Sequence, residues 1–144
     1  MAEKLLAHAL NGKNTSLNHL KIISAGVAAY EGGPASENAK KALSACNLDL
    51  SDHKSQSLTQ DIVDQSLALF CMTKSHQDII KKHFNTNGTA VHLVREFLDS
   101  AENNIPDPFG QSLPAYEAAR DSIVEAIPSL IDFLQKIHSE QHSL

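Results

Sequence analysis

The residues best suited to chemistry are a carboxylate, two thiols and a set of imidazoles. Asp107 stands in Ile105-Pro106-Asp107-Pro108-Phe109-Gly110. An aspartate there has two readings: an acid that hands a proton to a leaving group, or the first residue of a turn before Pro108. Cys46 and Cys71 could be nucleophiles only as thiolates, which needs a helix N-terminus or nearby cations to depress the thiol pKa. Cys46 is followed by Asn-Leu-Asp-Leu-Ser-Asp and Cys71 by Met-Thr-Lys-Ser-His-Gln. Both are therefore expected to be buried small apolar residues. They lack metal-ligand spacing to one another, and the eight histidines form no His-Glu-x-x-His pattern. No metal site and no cofactor are expected.

The elements that must position these groups alternate between helix and strand. Ala2, Leu5, Leu6, Ala9 and Leu10 form one apolar stripe, so the chain opens on a helix that stops at Asn11-Gly12. Leu20-Lys21-Ile22-Ile23 reads as a strand before Ser24-Ala25-Gly26, and Gly32-Gly33-Pro34 as a loop. Ala35, Ala39, Ala42, Leu43 and Cys46 share a helix face. Ser57 and Gln60 have capping-box spacing, ahead of a helix with Leu58, Ile62 and Val63 inward. Leu67 to Met72 is an unbroken apolar run, as in a parallel strand covered on both faces. Thr73 can cap a helix carrying Ile79, Ile80 and Phe84, and Ala90 to Val94 is a third strand. The last helix is expected from about Ser112 to Ile137, with Tyr116, Ala119, Ile123, Ile127, Leu130 and Leu134 inward and a kink at Pro128. The alternation predicts α/β architecture, a parallel sheet with helices on both faces, in one domain spanning 1–144.

Composition removes several function classes. Apolar residues make up 42% of the chain and charged residues 20%, which suits a folded globular domain rather than a disordered one. Twelve basic against 17 acidic residues, with Arg95 and Arg120 the only arginines, supply no basic face for nucleic acid. No apolar run reaches membrane-spanning length. Met1 to Leu10 has no basic segment followed by an apolar run, so no signal peptide is expected. Two cysteines fit a reducing, cytoplasmic setting better than a disulfide scaffold.

Taken in order, several segments resemble the low-molecular-weight protein tyrosine phosphatase family, in particular its bacterial members and the related protein-arginine phosphatases. They are Met1-Ala2-Glu3 with its helix, Ser24-Ala25-Gly26-Val27, His53-Lys54-Ser55, the strand ending Cys71-Met72, and Asp107-Pro108-Phe109-Gly110 before a long helix with Tyr116. The resemblance implies a three-layer α/β/α fold. It implies hydrolysis of phosphotyrosine or phosphoarginine through a phospho-cysteine, acting on a phosphorylated protein or a small phosphomonoester. Asp107 would then be the catalytic acid, Phe109 and Tyr30 walls of the substrate pocket, and Ser24 and His53 braces of the phosphate loop. Gln56 stands where many relatives have arginine.

The family opens with a strand and a Cys-x5-Arg-Ser loop, and no Cys-x5-Arg occurs in these 144 residues. Met1-Ala2-Glu3 resembles the segment just after that loop, so the first central strand is expected to be missing from the sheet. The chain is then either an N-terminally incomplete phosphatase, or a non-enzymatic relative that binds a partner or a phosphorylated ligand. A missing central strand would also leave backbone groups unpaired on Leu20–Ile23 and Leu67–Met72. Those strands would close up and pair, or a strand from another copy would fill the slot in a homo-oligomer.

Overall fold

Apolar residues at helical spacing along the last third of the sequence make its longest element. The computed structural model describes residues 1–12, 16–27 and 32–141. In it helix α5 runs Leu113–Gln141, past the expected end, and continues through Pro128 as one element. All six residues expected to point inward are buried. Helices α1 (Ala2–Asn11) and α2 (Glu37–Ser44) pack against α5. The Gly12 N–H closes α1 onto the His8 carbonyl at 3.2 Å. Ser36 caps α2, its side chain accepting from the Ala39 N–H. A short 3₁₀ turn, Ser16–His19, was not foreseen; it places Leu17 in the core with no exposed surface.

Among the described residues the sheet has two parallel strands, β1 (Ala68–Cys71) and β2 (Ala90–Leu93), with Cys71 opposite Leu93. Helix α4 (Lys74–His83) connects them, capped as expected by Thr73, whose side chain accepts from His76 N–H. Alternation along β1 builds the layers. Ala68, Phe70 and Met72 pack against the cluster that includes α1 and α5, while Leu69 and Cys71 pack with Ile80 of α4. With helices on both faces, the molecule has the expected α/β/α layering.

Two expectations are corrected. Leu20–Ile23 is not a strand. Lys21–Ala25 belongs to no helix or strand; exposed residues alternate with half-buried ones along it, yet among the described residues no backbone bond joins it to β1. Its sequence favours an extended chain, but a strand also needs a neighbour within hydrogen-bonding reach. The two segments have not closed up: a cleft of about 570 Å³ separates them. Just past this segment, Gly26 forms an isolated parallel bridge with Ser57, outside the β1–β2 sheet. The other correction is local. Helix α3 (Gln60–Gln65) is capped by Thr59 rather than Ser57, with its side chain accepting from Ile62 N–H.

Candidate functional site

Directly after Leu20–Ile23 comes Ser24, whose half-buried hydroxyl donates to Glu3 Oε1 at 3.0 Å. His53 Nδ1 stands 3.9 Å from the other oxygen of the same carboxylate. The two polar residues expected to act together therefore meet, through a third residue. Gln56 joins them by donating from Nε2 to the Ser24 carbonyl at 2.9 Å, while its own carbonyl accepts from Gly26 N–H. Glu3 is in the first turn of α1, where a carboxylate also suits the helix dipole. Glu3 and Ser24 line the cleft, so this network stands at its margin.

Asp107 is exposed. Its Oδ1 accepts from the Phe109 N–H at 3.0 Å, and its carbonyl accepts from Gln111 Nε2 at 3.3 Å. The segment is thus a tight turn, closed by Gly110 at φ +78°, a conformation that suits a residue without Cβ. Both readings of Asp107 remain compatible with this geometry, because its other carboxylate oxygen makes no hydrogen bond among the described residues. Phe109 is 80% exposed, so its ring is not core packing. No bond joins the Asp107 turn to the Ser24–Glu3–His53 network among the described residues. Tyr30 lies outside the described residues.

Neither thiol stands in a Cys-x5-Arg sequence. Cys71 is buried on β1, and burial pushes its thiol up to about 11, with Glu96 adding to the rise and Lys81 opposing it. Cys46 departs from expectation in being only half-buried. Thiol reagents should therefore modify Cys46 in the folded protein and Cys71 only on unfolding. Mass mapping of the labelled cysteines checks this, and early labelling of Cys71 would contradict it. The unfolded chain releases the Cys71 proton near 9.0, whereas the folded chain holds it to about 11. Its contribution to stability should therefore decline as pH rises through that window.

Two residues that hold the site together were not singled out in the sequence. Glu3 was visible only as part of a short segment. Arg95, 7% exposed, donates from Nε to the Glu102 carbonyl at 3.1 Å and from Nη1 to the Ser122 carbonyl at 3.0 Å. It ties the segment leading to Asp107 onto α5. Ile105 N–H adds a bond to the Met72 carbonyl at 2.8 Å. The signal for Arg95 was a lone arginine just after the apolar strand His92-Leu93-Val94, a place where a charge is retained only with partners.

Among the described residues, no three His, Cys, Asp or Glu side chains gather as a metal site would require, and no helix is long and apolar enough to cross a membrane. The model of the family "Low molecular weight phosphotyrosine protein phosphatase" matches residues 1–142. A protein-arginine-phosphatase of Geobacillus stearothermophilus is 32% identical over 123 residues, covering 85% of this chain and 82% of that protein. Among solved structures, the YwlE arginine phosphatase of the same organism superposes with a TM-score of 0.79 at 30% identity, over 98% of this chain and 86% of that one. The tyrosine phosphatase Wzb from Escherichia coli K30, solved with sulphate, gives 0.79 at 28% identity, over 92% and 87%.

Proposed function

Because the chain belongs to the low molecular weight phosphotyrosine protein phosphatase family, we propose that it serves protein dephosphorylation, with Asp107 as its acid. The family match across residues 1–142 carries this reading. In the reaction a thiolate attacks phosphorus and the P–O or P–N bond to the protein breaks. Asp107 gives its proton to the departing atom. Water then attacks the phospho-cysteine, giving its proton to the Asp107 carboxylate, and phosphate leaves. Ser24 and His53, gathered by Glu3, brace the loop that holds the phosphate. Phe109 and Tyr30 flank the substrate, a phosphotyrosine or phosphoarginine side chain or a small phosphomonoester. Free Cys46 and Cys71 support a reducing, cytoplasmic setting.

The nucleophile is not among these 144 residues. No Cys-x5-Arg occurs in them, and Cys71 is a buried, neutral thiol. The 144-residue polypeptide alone should show no thiol-dependent hydrolysis of p-nitrophenyl phosphate. The same polypeptide preceded by a strand and a Cys-x5-Arg-Ser loop should hydrolyse it, and lose that activity when the added cysteine becomes serine. Turnover by the polypeptide alone, or none by the folded, extended one, would overturn the reading.

The absence of Cys-x5-Arg from these residues favours a second reading, a phosphatase-like protein that binds a partner or a phosphorylated ligand without cleaving it. The codons upstream of Met1 separate the two. An in-frame strand and Cys-x5-Arg-Ser supports the enzyme, and an early stop codon without them supports the binding protein.

A further inference from the structure

The chain holds two Asn-Gly pairs, Asn11-Gly12 and Asn87-Gly88, and the fold treats them differently. Such a pair can react with itself. The glycine backbone nitrogen attacks the asparagine side-chain amide carbon, and glycine has no Cβ to obstruct the approach. The attack needs a glycine N–H outside any hydrogen bond, an asparagine amide free to turn, and water at hand.

Asn11-Gly12 fails the first requirement. Asn11 is the last residue of α1, and the Gly12 N–H donates to the His8 carbonyl at 3.2 Å. Gly12 keeps the helical sense, with φ −78° and ψ −4°. The adjoining Leu10 is buried in the core, which pins the last turn of α1. Reaction there requires that this turn first open.

Asn87-Gly88 meets all three. The pair is the centre of a turn closed by the Thr89 N–H on the Thr86 carbonyl at 3.0 Å. Gly88 has φ +85°, as the third residue of a type II turn does. The peptide between the two central residues carries neither end of the closing bond. Among the described residues, nothing accepts from the Gly88 N–H and nothing bonds the Asn87 side-chain amide. The Asn87 backbone N–H donates to Asn85 Oδ1 at 3.0 Å, which leaves the Asn87 side chain unused. Both residues are exposed, and no atom stands within 4 Å of where a Cβ on Gly88 would lie.

We propose that Asn87 is a site of spontaneous deamidation, a self-modification that the fold permits at this pair and withholds at Asn11. The Gly88 nitrogen gives its proton to hydroxide and bonds to Asn87 Cγ. The Cγ–Nδ2 bond breaks, and ammonia departs with a proton returned by water, leaving a five-membered succinimide. Water then opens the ring at either carbonyl. Breaking the bond from nitrogen to Cγ gives aspartate. Breaking the bond from nitrogen to the backbone carbonyl carbon gives isoaspartate, with the chain routed through the side chain. Either product adds a negative charge to a chain whose formal net charge is −5. Isoaspartate also puts an extra carbon into a turn that ends just before Ala90, where β2 begins its pairing with Ala68. The inference does not depend on the phosphatase reading, since its test reads mass and amide exchange rather than hydrolysis.

The full chain is incubated at mildly alkaline pH, folded and in urea, and peptide mapping follows the conversion of amide to acid at each pair. In the folded chain Asn87 should convert at least about tenfold faster than Asn11, whose reaction waits on local opening. In urea the two rates should converge. The isoaspartyl product should exchange its Thr89 amide faster than the unmodified protein, whereas Asn87→Asp, which has the charge without the extra carbon, should not. Equal conversion of the two pairs in the folded chain, or earlier conversion of Asn11, would overturn the proposal. Conversion of both in urea and of neither when folded would overturn it too, since the turn would then protect Asn87. Equally fast Thr89 exchange in Asn87→Asp would assign the loosening to charge and overturn the backbone account of it.

Discussion

Replacing Arg95 by methionine should lower the free energy of unfolding by about 2–4 kcal/mol, as read from urea titrations. Methionine preserves much of the apolar stem, so the loss falls on the head group. The guanidinium makes charge-assisted bonds to the Glu102 and Ser122 carbonyls, each worth about 1.5–3 kcal/mol. Neither carbonyl is fully orphaned afterwards. Glu102 keeps a 3.3 Å bond from the Ser100 hydroxyl, and Ser122 lies within α5. That argues for the lower part of the summed range. The ion pair with Glu125 is the smaller term. That carboxylate is 64% exposed and 3.3 Å from Nη2, so Glu125→Gln should cost less than about 1 kcal/mol. If Glu125→Gln proved the costlier change, the ion pair and not the carbonyl ties would be holding this segment.

The same residue marks where sequence reading runs out. Period-based features were legible because each needs only its own neighbours. The six inward positions of α5 and the unbroken run at Leu67–Met72 follow from side-chain spacing, and the structure buries or pairs them accordingly. Leu20–Ile23 carries the same strand signal, but pairing requires a partner that local sequence does not supply. Among the described residues, segment 21–25 therefore stays outside the ladder. The candidate site divides in the same way. The Asp107-Pro108-Phe109-Gly110 turn is written in consecutive residues and closes by its own bonds. The carboxylate joining Ser24 to His53 comes from Glu3, twenty-one residues from the serine. Arg95 likewise reaches Ser122 across 27 residues. Bonds that span such distances leave no spacing pattern to recognise.

In the chain extended by a strand and a Cys-x5-Arg loop, Asp107→Asn should slow turnover of substrates with poor leaving groups by about 10²–10⁴-fold. Asparagine keeps an oxygen able to accept from the Phe109 N–H, the 3.0 Å bond that shapes the turn. Pro108 still fixes its own φ and favours an extended residue before it, and Gly110 still supplies φ +78°. The turn should therefore persist, with unfolding free energy nearly unchanged, while the transferable proton is gone. Good leaving groups need less protonation to depart, so their first chemical step should be slowed less. That graded response is what a merely turn-forming aspartate would not produce, since such a residue would leave the rate alone for every leaving group. Asp107→Ala separates the roles further, because it removes both the acceptor and the acid and so should reduce stability as well as rate. In the 144-residue polypeptide alone, Asp107→Asn should change no hydrolysis, because the acid has no nucleophile to assist. A several-fold loss there would mean that these residues contain a nucleophile of their own.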